Sequence, residues 1–139
     1  MQVSTAIFWP AIVLALATLL LYVPMFRSRV GAVRRGEAKA RDFKLRTHEP
    51  DASRPFVNAI TNQYETPVLF YAVCAFAFVS GSVSGILLAL AWIYAVAKLV
   101  QIGILVSSNR LQWRMGAFAV ALVSLVLMWI VFAVNLALA

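Results

Sequence analysis

The chain has 139 residues, of which 63% are hydrophobic and 12% charged, and its formal net charge is +7. With a mean hydropathy of +0.89, it has too few polar side chains to clothe a core in water, which excludes an ordinary soluble domain. The excess of positive charge does not point to nucleic acid, because nine of the twelve Lys and Arg fall in one segment, Arg27 to Arg54, where they read as a loop that orients membrane spans and attracts anionic lipid headgroups.

About 20 apolar residues cross the hydrocarbon of a bilayer as a helix. The first stretch that qualifies is Thr5 to Phe26. No Lys or Arg precedes Arg27, the apolar run is longer than that of a signal peptide, and dense positive charge follows it. The expectation is therefore a retained helix, not a cleaved leader. Pro10 and Pro24 lie near its two ends, where proline is tolerated.

The loop Arg27–Pro55 is next. Its part from Arg34 to Arg46 suggests a short amphipathic helix on the membrane surface, with Phe43 and Leu45 as a small apolar side. Thr47 to Ser53 reads as a turn-rich connector. It contains His48, the only histidine, which reads as solvated, and no neighbouring residues complete a metal site.

The second apolar stretch, about Phe56 to Val79, carries Asn58, Asn62 and Glu65 at i, i+4 and i+7, which lines one helix face. Pro67 removes a backbone donor and predicts a loosened or kinked helix near Gln63. Cys74, the single cysteine, reads as inert packing. After the uncharged turn Ser80–Gly85 comes a third stretch, about Ile86 to Ser107, with Lys98 and Gln101 on one face. The turn Ser108–Arg114 brings Arg110 and Arg114. The fourth stretch runs from about Met115 to Leu138.

The expected fold is therefore all-α: one integral membrane domain, 1–139, with four helices running up-down-up-down (about 5–26, 56–79, 86–107 and 115–138). Both termini then lie outside. Eleven of the twelve basic residues fall on the opposite side or at its edge, which makes that side, with the loop 27–55, cytoplasmic. Trp9, Trp113 and Tyr22 fall near helix ends as interfacial anchors, whereas Trp92 and Trp129 are expected to pack against neighbours.

A charge inside hydrocarbon costs roughly 2.5–3.5 kcal/mol on insertion scales, so Glu65 and Lys98 mark a polar constellation with a purpose. Counted inward from Phe56 and Ser107, both lie roughly 13 Å deep, and Asn62 matches Gln101 in depth. Equal depth favours direct pairing. Two readings stay open: interhelical clips, Glu65 with Lys98 and Asn62 with Gln101, or the base of a pocket whose mouth carries Arg110 and Arg114.

The segment Asn62-Gln63-Tyr64-Glu65-Thr66-Pro67-Val68-Leu69-Phe70-Tyr71 resembles the signature of the MAPEG family, membrane-associated proteins in eicosanoid and glutathione metabolism. The third-helix stretch from Ala91 through Asn109 and Arg110 to Arg114 is similar to a bacterial branch of that family. The resemblance implies a homotrimer in the bacterial inner membrane, with glutathione bound between protomers near the cytoplasmic side as cosubstrate. It implies that Asn62 and Glu65 contact the peptide, Glu65 taking its amine. It places Arg110 at the site mouth and gives Arg114 the catalytic role of stabilising the thiolate, and it adds Lys98 and Gln101 to the binding set. The family commonly has Arg where this chain has Lys98, His where it has Gln101, and Tyr where it has Leu105. Asn58 and Thr61 stand where arginines are often found.

Three functions follow as alternatives. The first is a glutathione-dependent transferase or peroxidase acting on lipophilic small molecules. The second is a non-catalytic protein binding a lipid or amphiphile between protomers, favoured by the missing His and Tyr. The third, a small proton-coupled exporter, suffers from the absence of an acid in Thr5–Phe26. A purely structural trimer is the bland reading.

Overall fold

The structure, a computed structural model, describes residues 3–45 and 47–138. In chain order the helices are α1 (Val3–Ala6), α2 (Phe8–Leu20), α3 (Tyr22–Arg34), α4 (Ala40–Leu45), α5 (Arg54–Gln63), α6 (Thr66–Val79), α7 (Gly85–Val106) and α8 (Leu111–Ala137). Among the described residues, three helices are long and apolar enough to cross a membrane: Phe8–Arg34, which joins α2 to α3, then α7 and α8.

The first rod is longer than expected. Leu21, at the seam of α2 and α3, keeps helical angles. The seam itself follows from Pro24, which has no N–H to give the Leu20 carbonyl and crowds it. Beyond Phe26 the arginines are good helix formers, so the helix continues to Arg34 rather than ending at the membrane edge. Its 27 residues span about 40 Å against roughly 30 Å of hydrocarbon, so the basic end projects past the apolar layer. Gly36 ends it with φ +74°, the left-handed conformation glycine accepts most readily, and Glu37 N–H closes back on Ala32 O at 3.0 Å. The expected surface helix is shorter than its 34–46 span: it is the six residues of α4, and Arg46 lies outside the described residues.

The stretch expected as one helix, Phe56–Val79, is two. α5 stops at Gln63, and Glu65 has φ −95° and ψ −106° before α6 begins. Pro67 is the cause. A continuous helix would need its missing N–H for the Gln63 carbonyl, and its ring would clash there. Tyr64 N–H instead closes a tight turn on Thr61 O at 3.0 Å. The start of α6 is pinned to α7, because the Tyr94 hydroxyl donates to Thr66 Oγ1 at 3.1 Å and the Tyr94 ring stacks on Phe70 at 4.4 Å.

The centre of the fold is α7, which makes its most extensive contact with α8 and also packs on α2 and α5. It buries Leu87, Ala91, Tyr94, Lys98, Gln101, Ile102 and Leu105 among others, at helical spacing along one stripe. Ser84 caps its start by accepting from Leu87 N–H at 3.3 Å, and Asn135 of α8 donates to Ser82 O and Ser84 Oγ. Cys74 is buried and free. Outward faces are strongly apolar, including Leu16 and Leu19 of α2 and Val123, Ile130 and Val134 of α8. That pattern suits a bilayer and not water. Trp129 packs edge-on against Phe76 and Phe132, as expected. Trp92 instead stands on the exposed face of α7.

Candidate functional site

Beside the break between α5 and α6 lies a cleft of about 350 Å³ bounded by α5, α7 and α8. Asn58, Asn62 and Glu65 line one wall, so the i, i+4, i+7 face survives the break. Gln101 and Leu105 of α7 form the back, and Arg114, Met115 and Phe118 of α8 form the facing wall. Glu65 is exposed and has no ion pair among the described residues.

Arg114 sits in the first turn of α8, a helix that begins four residues earlier than expected, at Leu111. Its guanidinium donates to Asn109 Oδ1 at 3.0 Å. Asn109 holds φ +48°, a left-handed angle that asparagine tolerates better than most residues. Its own N–H reaches Ile104 O at 2.7 Å. The short turn thus aims the arginine into the cleft.

Lys98 lies behind the cleft. It is 0% exposed, and its ammonium donates to Gln101 Oε1 at 2.8 Å. No ion pair joins it to Glu65 among the described residues. Direct Asn62–Gln101 pairing is likewise not formed. Asn62 Nδ2 turns back to Asn58 O at 3.2 Å, while Gln101 faces Lys98. The reason is geometric. An i, i+3 partner on the same helix is within reach of Lys98 without bridging α5 and α7.

Of the six residues singled out in the sequence, Asn62, Glu65, Gln101 and Arg114 line this cleft. Lys98 reaches it only through Gln101. Arg110, the residue before α8, is exposed and does not line it. The sequence reading missed Asn109, Met115 and Phe118. Phe118 follows Arg114 by four, a helical spacing that would have found it. For Asn109 the available signal was asparagine in a short interhelical turn.

On its other side, α5 borders a second cavity of about 470 Å³, lined by Tyr22, Arg29, His48, Glu49 and Thr61 with apolar neighbours. Arg29 grips Glu49 with two hydrogen bonds, 3.0 and 2.7 Å, and Ser53 Oγ donates to the same carboxylate. Burial pushes the Glu49 carboxyl up, but these hydrogen bonds and the charges of Arg29 and Arg54 outweigh it and hold the group below its ordinary value. Among the described residues no cluster of three His, Cys, Asp or Glu is placed to hold a metal.

Chemically, the first cleft offers one acid, one cation on its rim, a second cation behind it, amide groups and an apolar wall. That set suits a small zwitterionic or anionic ligand carrying an apolar or soft group. The sequence profile of the MAPEG family matches residues 7–134. No curated protein matches the chain, and no solved structure does.

Proposed function

The chain belongs to the MAPEG family, and from that membership we propose that it is a membrane glutathione transferase or peroxidase acting on lipophilic substrates. The observation that carries this reading is the convergence of Glu65, Asn62, Gln101 and Arg114 on one cleft. These residues fit the tripeptide's chemistry. Glu65 takes the amine, Asn62 and Gln101 bond its amides or carboxylates, and Arg114 holds the thiol as thiolate, since a nearby cation lowers a thiol pKa from about 8.5. Bound glutathione supplies the sulfur nucleophile. Met115 and Phe118 give the lipophilic partner an apolar surface beside it.

In this proposal α5 and α6 together make a fourth crossing. Three copies assemble in the bacterial inner membrane, with both termini outside, and glutathione binds between adjacent protomers near the cytoplasmic side. Glutathione binding to the detergent-purified protein, measured by calorimetry, tests the reading. Saturable heat that is lost in both Arg114→Ala and Glu65→Gln supports it; no binding at millimolar glutathione sinks it.

A second reading, a non-catalytic amphiphile-binding protein, draws on the back wall. Leu105 is 2% exposed and offers no hydroxyl, and Gln101 cannot change charge. Identifying the lipids that copurify with the protein separates this reading from the first.

A further inference from the structure

Where the first rod leaves the apolar layer, α3 and α4 enclose a groove of about 500 Å³. Phe26, Val30 and Val33 of α3 and Phe43 of α4 line it, with Arg29 and Arg34 at its rim. The three α3 side chains are 58%, 50% and 38% exposed, so the groove is an open apolar channel. Its wall is fixed in place, because the Arg29 guanidinium lies 5.1 Å from the centre of the Phe43 ring while its N–H groups are committed to Glu49.

The charge around the groove is unbalanced. Arg29 is neutralised by Glu49 and Arg35 by Glu37. Arg27, Arg34, Lys39, Arg41 and Lys44 are exposed and none has an ion pair among the described residues, against one further acid, Asp42, whose carboxylate accepts from the Lys39 backbone N–H. An apolar trough with an unmatched cationic rim, at the end of a membrane-crossing helix, matches one partner in shape and charge. We propose that the α3–α4 groove binds an anionic phospholipid, with an acyl chain along Phe26, Val30, Val33 and Phe43 and the phosphate at Arg34 and the neighbouring basic residues. A second copy of this chain is the wrong occupant, since it brings the same +7 to a rim whose cations outnumber its acids. A lipid supplies both the acyl chain and the negative charge, and the bilayer holds it beside the groove.

Native mass spectrometry of the delipidated full-length protein tests this, with equimolar phosphatidylglycerol and phosphatidylcholine of identical acyl chains. The wild type should retain phosphatidylglycerol in preference. Arg34→Gln/Arg41→Gln should lower that preference roughly tenfold to thirtyfold, at about one lipid contact per cation removed. Val30→Ser, at a half-exposed position, should lower retention of the same lipid severalfold while leaving the melting curve unchanged. Equal retention of the two lipids overturns the proposal. So does a preference that survives both sets of substitutions, which would make it a diffuse effect of loop charge. Competition by glycerol phosphate as strong as by the lipid would mean a headgroup site without an acyl chain. An oligomer that dissociates in Val30→Ser would mean that a second copy covers the groove.

Discussion

Gln101→Leu should destabilise this protein, although it replaces a polar core residue with an apolar one of similar size. Lys98 is 0% exposed and its described hydrogen bond is the 2.8 Å contact to Gln101 Oε1. Both residues are on α7, so the bond also survives when the helices separate, and its own energy largely cancels. What does not cancel is packing an ammonium with no acceptor, which costs about 1–3 kcal/mol or more. At about 3–4 °C per kcal/mol for a chain of this length, the melting temperature in detergent should fall by roughly 3–12 °C. Lys98→Met removes the buried charge and should be close to neutral, because apolar replacement of buried ions often is. The double variant Lys98→Met/Gln101→Leu should therefore melt near the wild type. Glu65→Gln, at an exposed position without an ion pair, should stay within about 0.5 kcal/mol. The reasoning fails if Gln101→Leu melts like the wild type, or if Lys98 couples more strongly to Glu65 than to Gln101 in the corresponding double-mutant cycles.

Asn109→Gly keeps the positive φ but removes the acceptor for Arg114, so on the proposed function glutathione turnover should fall roughly tenfold with the fold intact; full activity would show that Arg114 needs no positioning. Pro67→Ala restores an N–H to the Gln63 carbonyl and should let α5 run into α6. Amide exchange around residues 64–68 should then slow while glutathione binding weakens, and unchanged exchange would mean that packing against α7 holds the break open without the proline. The Glu49 carboxyl is held below its ordinary value, so its contribution to stability is present above the unfolded carboxylate pKa of about 4.3 and is lost as pH falls through the lower folded value. Glu49→Gln should flatten that acid-side loss of melting temperature, by at most about 1 kcal/mol for a partly exposed pair; identical acid profiles would remove Glu49 from the linkage.

Three of the four expected spans were legible because hydropathy over 20 residues is a strong signal that tertiary contacts seldom override. The face of Asn58, Asn62 and Glu65 was legible because helical spacing is local, and it held even though the helix breaks one residue before Glu65. The partner of Lys98 was not. Depth matching between α5 and α7 says which residues lie level, but side-chain rotamers decide which of two possible acceptors is reached. A same-helix acceptor asks for no adjustment of interhelical distance. The continuation of the first helix to Arg34 was missed for a related reason. A change from apolar to charged residues marks where lipid ends, not where backbone hydrogen bonding ends, and only Gly36 gives the chain a reason to stop.

The break at Tyr64–Glu65 changes the surroundings of Glu65. In an unbroken helix an acid at that depth needs a partner charge, and Lys98 is the obvious candidate. A ligand amine would then have to displace a buried ion pair, losing most of what it gains. With the helix interrupted, Glu65 instead becomes the residue preceding α6. There it faces an open cleft, with the positive end of a 14-residue helix dipole behind it. Lys98 is satisfied separately by Gln101. The two charges are thus not consumed by each other. An acid left without an ion pair can accept an incoming amine, and Lys98 held just behind it gives the cleft a cation toward carboxylates. Pro67, two residues beyond Glu65, is what makes that division possible.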